Sequence, residues 1–82
     1  VSGKNQISVD GKRYGYWEYY YSHSDILRCK GNFVDDKRDG YWVDYRHNGK
    51  IWRIGNYING KLYGYGEIHD YEGNTAIIEY DI

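Results

Sequence analysis

A glycine-tyrosine step that returns at a fixed interval limits what this chain can fold into. Gly15-Tyr16-Trp17, Gly40-Tyr41-Trp42 and Gly64-Tyr65-Gly66 recur at roughly 24 to 25 residues, each after a lysine-bearing segment: Gly11-Lys12-Arg13-Tyr14, Asp36-Lys37-Arg38-Asp39 and Gly60-Lys61-Leu62-Tyr63. Self-similarity at this period marks a repeat architecture, in which one unit cannot bury its apolar face alone and stacks on its neighbours. Two further elements keep the register. Gly31-Asn32-Phe33-Val34-Asp35 matches Gly55-Asn56-Tyr57-Ile58-Asn59. Arg46-His47-Asn48-Gly49-Lys50 is echoed by Asp70-Tyr71-Glu72-Gly73-Asn74 and, with one extra residue, by Ser22-His23-Ser24-Asp25. Residues 1–82 therefore read as one domain with repeats near 6–30, 31–54 and 55–78.

Each unit reads as strand, tight turn, strand, tight turn. Asn48-Gly49, Asn59-Gly60 and Asp10-Gly11 supply the positive φ angles that hairpin turns require. Strands are predicted near Gln6–Asp10, Tyr14–Tyr21, Ile26–Asp35, Gly40–Arg46, Lys50–Asn59, Tyr63–His69 and Thr75–Tyr80. Short connections pair consecutive strands antiparallel, so the fold class is all-β: a single elongated, twisted antiparallel meander of β-hairpin repeats, about three copies of ~24 residues. Composition agrees, because 12 Tyr and 3 Trp must carry burial that aliphatic residues are too sparse to supply, and a lone Ala76 is poor material for helices. Alternation puts Tyr16, Glu18 and Tyr20 on one face with Tyr41, Val43, Tyr45, Tyr65, Glu67 and His69, and turns Trp17 and Trp42 to the other. Leu27, Cys29 and Phe33 oppose Ile26 and Val34, and Ile51 and Tyr57 oppose Trp52, Ile54 and Ile58. Neither face is cleanly polar, which implies strong twist, self-association or a partner.

The formal net charge is −1 with both signs interspersed, so there is no broad field for nucleic acid or an anionic membrane. A single cysteine cannot form an internal disulfide, and no apolar run reaches the length of a spanning helix; the reading is a cytoplasmic protein. The spacing Gly-x-aromatic-x-x-(Gly/Asp)-Lys-x-x-Gly-Tyr-Trp-x-x-Tyr-x-x-x-Gly, carried by Gly31 to Gly49 with Asp36 replacing one glycine, resembles the MORN repeat, in the variant form of bacterial antitoxin-like and phage-borne proteins. The resemblance covers nearly the whole chain, with Gln6 and Glu79 standing where Gly31 and Gly55 predict glycine. Choline-binding repeats share the Gly, Trp and Tyr enrichment. What the MORN resemblance implies is an interaction scaffold without chemistry, a platform for partner proteins or for dimerisation.

Of His23, His47 and His69, two fall at or beside equivalent hairpin tips about two strand spacings apart, too far to share a metal, and no metal or other cofactor is expected. Cys29 would need a base to be a nucleophile; His23 is near in sequence, but the turn carries the two strands past each other and no third orienting residue is suggested, so Cys29 reads as a small half-buried strand side chain. The Asp35, Asp36 and Asp39 cluster reads as a solvated turn on a flat sheet without a cleft, and as a contact element. The aromatic rows carry most of the binding potential, since Trp, Tyr and Arg dominate interface energies. The candidate partner-binding residues are Trp17, Tyr19, Tyr21, Trp42, Arg46, Trp52 and Arg53 with Asp35, Asp36 and Asp39; Arg28 is a further polar anchor. The expectation is a non-catalytic protein-protein interaction or assembly module, one form being a small inhibitor or antitoxin-like binder of a larger protein. A homodimer through the aromatic face or the strand edges is compatible with it. The alternative is recognition of a glycan, a choline-like head group or a nucleic acid strand by stacking on exposed rings.

Overall fold

The computed structural model describes residues 3–80. Seven strands lie in chain order in one open antiparallel sheet: β1 (Gln6–Ile7), β2 (Arg13–Tyr20), β3 (Leu27–Val34), β4 (Lys37–Tyr45), β5 (Ile51–Ile58), β6 (Lys61–His69) and β7 (Thr75–Tyr80). The chain is all-β, a single meander, as its turn pattern predicts. β4 and β6 begin earlier than predicted, at Lys37 and Lys61, because only two residues of each lysine-bearing segment form the turn. Asp35-Asp36 and Asn59-Gly60 are those residues, all with left-handed φ between 54° and 86°. Asp10-Gly11 differs from them: the Ser8 amide bonds the Lys12 carbonyl at 2.8 Å and Gly11, at φ 85°, sits in a longer turn. That longer form recurs at Arg46–Lys50 and Asp70–Asn74, with Gly49 and Gly73 in the left-handed position.

Gly40 and Gly64 are not turn ends but bulges inside the ladder, at φ 78° and 67°. Between the pairs Lys30–Val43 and Asn32–Asp39, Gly31 alone faces Gly40, Tyr41 and Trp42; Gly55 alone faces Gly64, Tyr65 and Gly66 in the same way. Extra residues on one strand bend it and raise its twist. The consequence is visible at both ends of the sheet. The Asp36 amide bonds the Arg13 carbonyl and the Gly60 amide bonds the Arg38 carbonyl, each at 3.0 Å. At the opposite end the Tyr21 hydroxyl donates to the Tyr45 carbonyl at 2.5 Å, and Arg46 Nη2 to the His69 carbonyl at 2.9 Å. These bonds join segments two strands apart, about 10 Å in a flat sheet. Only a sheet curled about its strand direction closes that distance, so the expectation of a flat, cleftless surface is corrected.

The concave side of the curl holds the core: Cys29, Phe33, Trp42 and Tyr57 are buried there with Trp17, Tyr19 and Leu62 packed against them. Room for the rings comes from glycine. Trp17 pairs with Gly31 and Trp42 with Gly55, while the Trp42 indole lies over Gly31 so closely that a Cβ there would be 2.3 Å from it. Trp42 Nε1 donates to the Asn32 carbonyl at 2.9 Å, and Trp17 Nε1 repeats the bond to the Gln6 carbonyl at 3.0 Å. Gln6 therefore corresponds to Asn32, and Asn5, at φ 57°, takes the place sequence alignment gave to Gln6. At the other end Gly66 pairs with Ile78, so Ile78, not Glu79, faces the tryptophan position and the large and small partners are exchanged.

Candidate functional site

The curl makes a concavity of about 620 Å³ on the inner face, floored by Tyr19, Phe33 and Cys29 and walled by arginines. Its order starts with Arg13 and Arg38, which hold equivalent places at the starts of β2 and β4. The Arg13 guanidinium stacks 4.1 Å from the Phe33 ring centre, donates from Nη1 to Tyr19 Oη at 2.6 Å and is ion-paired to Asp36. Arg38 stacks 4.1 Å from Trp42 and 5.2 Å from Tyr57, and grips Asp44 with two nitrogens at 3.3 Å. Each stacked cation contributes on the order of 0.5–2 kcal/mol. Burial is the largest single influence on Arg38 and pulls its pKa down, but the hydrogen bond to the Asp44 carboxylate and the charges around it together outweigh burial, and the net shift is upward. Arg13 likewise holds Asp36 below the usual carboxylate range through its side-chain hydrogen bond.

Asp44 also serves Arg53, whose Nε stands 3.5 Å from Oδ2. One carboxylate thus faces two guanidinium groups. Arg46 Nε and Arg53 Nε are out of solvent without a hydrogen-bond acceptor, so this side of the sheet carries more cationic donors than it satisfies.

Bulges complete the wall. Tyr19 pairs with Cys29 and Tyr20 with Leu27, which leaves Arg28 as the extra residue; Asp44 pairs with Arg53 and Tyr45 with Ile51, which leaves Trp52. A bulge sends two consecutive side chains to one side. Arg28 and Trp52 accordingly both line the concavity together with Cys29, and Trp52 is not on the face that strict alternation gave it. Trp52 is 39% exposed. A second hollow of about 210 Å³ continues from it, sharing Tyr21, Tyr45 and Trp52 and ending at Arg46, which stacks 4.0 Å from the Tyr71 ring.

The structure thus brings Tyr19, Tyr21, Trp52 and Asp36 to the concavity and Arg46 to the hollow that continues it, while Arg53 lies against Trp52 and Asp44. Trp17 is half-buried against Tyr19, ring centres 5.5 Å apart. Trp42, expected on the contact surface, is 0% exposed and has no atoms to offer a partner. The acidic cluster is divided, because Asp35 and Asp39 line a separate hollow with Val34 and Ile58 while Asp36 turns to Arg13. Sequence reading missed Arg13, Arg38 and Asp44; the Lys-Arg pair repeated at Lys12-Arg13 and Lys37-Arg38 was the available signal.

The outer face is organised differently. Glu18 accepts from Lys4 Nζ at 2.6 Å, Tyr20 Oη at 2.7 Å and Tyr16 Oη at 2.8 Å. These bonds hold its carboxyl down at about 2, and desolvation together with Glu18 raises Tyr16 to about 12. Beyond Glu18 the face turns apolar: Tyr41, Tyr65 and Ile77 are 57%, 68% and 62% exposed around a small hollow. His69 is engaged with Glu67 and Thr75, and His47 packs edge-on to Tyr21. Burial pushes the Cys29 thiol up, away from the reactive thiolate. Among the described residues no three His, Cys, Asp or Glu side chains gather where a metal could bind, and no helix is long and apolar enough to cross a membrane. No protein-family model, characterised protein or solved structure matches the chain.

Proposed function

We propose that this chain is a non-catalytic protein-interaction module of the MORN-like kind, working in the cytoplasm by covering a partner surface. The observation that carries the reading is the single-layer sheet itself. Its inner face is a concavity of aromatic rings and arginines, and its outer face displays Tyr41, Tyr65 and Ile77, exposed with no second layer over them among the described residues. Aromatic residues and arginine, presented on a rigid scaffold, are the groups that dominate interface energies. The proposed chemistry is recognition, since both carboxylates of the cleft, Asp36 and Asp44, are engaged in ion pairs with arginines and burial pushes the Cys29 thiol up. A small inhibitor that caps a larger protein is one form of such a module, and a homodimer is another.

The test is affinity capture from the native host with the intact chain, paired with light scattering of the purified protein. A stoichiometric heteromeric complex, or a defined dimer disrupted by Tyr41→Ser and Tyr65→Ser, supports the reading. A monomer that retains no protein overturns it. Trp52, exposed between Arg46 and Arg53, favours a second reading in which a small ligand stacks on the ring. A shift in tryptophan emission with phosphocholine or an oligosaccharide is its mark.

A further inference from the structure

We infer that the inner concavity is a receptor for an acidic, apolar-flanked segment of a protein partner, with carboxylates taken up by Arg28 towards one end of the β3–β4 pair and by Lys37 towards the other. The inference rests on the protein-interaction reading and names the chemistry of the partner. Its basis is charge. The whole chain is slightly acidic, yet the concavity is lined by Arg13, Arg28, Lys37 and Arg38 against only Asp36 and Asp44. Arg13 is matched by Asp36, and Arg38 by Asp44, which Arg53 also claims. Arg28 and Lys37 are exposed and have no carboxylate partner among the described residues.

The positive charge left over is therefore local, concave and backed by rings. A carboxylate entering there gains charge-assisted hydrogen bonds from a guanidinium, and the neighbouring Tyr19 and Trp52 take the apolar side chains beside it. A nucleic acid strand fits less well. Its phosphates form a continuous negative track, and the turn that borders the concavity places Asp35 and Asp36 in its path. A peptide can place separate carboxylates at Arg28 and Lys37 and neutral groups beside the rim.

The probe is a blocked hexapeptide of alternating glutamate and leucine, titrated by tryptophan fluorescence at low salt, with its glutamine counterpart and a ten-nucleotide thymidine strand as comparisons. The glutamate peptide is expected to bind about tenfold or more tightly than the glutamine peptide, and to weaken as salt screens the pair. Arg28→Ala with Lys37→Ala is expected to lower affinity on the order of tenfold or more while leaving circular dichroism and the thermal midpoint unchanged, since both side chains are exposed. Equal binding of the two peptides, an unaffected double variant, or tighter binding of the thymidine strand overturns the inference. If no peptide binds but a host protein is captured and then lost with Tyr41→Ser and Tyr65→Ser, the acidic inference fails and the interaction reading stands. If no peptide binds, nothing is captured and the protein is a monomer, both fail.

Discussion

One position of this fold is filled by arginine twice and by leucine once, and the contrast separates what holds the sheet together from what the cleft is equipped to bind. In the middle of the molecule Arg38 lies on Trp42 and Tyr57 and answers to Asp44; one step along, Leu62 takes the same place, Gly66 that of the tryptophan and Ile68 that of the aspartate. Leu62 and the Tyr80 ring close over Gly55 and Gly66, where added Cβ atoms would meet them at 2.6 Å and 3.1 Å. Both regions keep the same bulge and the same pairing. The backbone therefore does not require the ion pair. Charge at Arg13, Arg38 and Asp44 is retained in the half that forms the cleft and is absent where there is none.

Removing the largest ring gives the largest expected difference. Trp42→Ala empties the most buried site and should cost about 3–5 kcal/mol, enough to unfold a domain this small at moderate temperature; urea denaturation measures it. No comparable loss is available in the C-terminal region, where Leu62→Ala, a half-buried site, should cost no more than about 2 kcal/mol. A small effect at Trp42 would mean the rings are not the core.

The glycines sharpen the same comparison. Gly31→Ala drives a methyl into a fixed indole and should cost about 3 kcal/mol, whereas Gly55→Ala meets only the end of a leucine that can rotate away and should cost about 1 kcal/mol. Equal midpoints for the two variants in thermal melts would break the distinction between the regions.

Asp44→Ala leaves two partly buried guanidinium groups uncompensated and is expected to cost about 2 kcal/mol. Pairing it with Arg38→Leu, which copies Leu62, should restore much of the loss. If the double variant is no more stable than the single one, the ion pair is not the reason the arginine is tolerated.

The smallest effect lies on the outer face. Glu18 is held at about 2 when folded against an ordinary 4.5, so its contribution is full above 4.5 and disappears as pH falls towards 2. Because Lys4 is half-exposed the loss should be about 1 kcal/mol, and Glu18→Gln should flatten the acid limb of the stability curve. An unchanged limb would place the acid sensitivity at Asp36 or Asp70, whose carboxyls are also held low.

Legibility in the sequence followed distance along the chain. Asn59-Gly60 and the Gly49 and Gly73 tips need only their own φ angles to form a turn, so the hairpins, the meander and the faces of Trp17 and Trp42 were readable. Arg28 and Trp52 were misplaced or left ambiguous because a bulge has no local signal strong enough to override alternation. The split of Asp35 and Asp39 from Asp36 was invisible for a related reason: it depends on Arg13, whose partner lies on another hairpin.

What the sequence determined alone is the periodic set of turns, the antiparallel order and the enrichment in rings, since these follow from torsion preferences and from alternation over a few residues. What only the tertiary structure decided is the curl and therefore the cleft. Three residues facing one at Gly31 and Gly55, and hydrogen bonds reaching over an intervening strand at Asp36 and Gly60, add twist that no single strand specifies. That accumulated twist buries Trp42, exposes Trp52 and gathers the arginines on one concave surface.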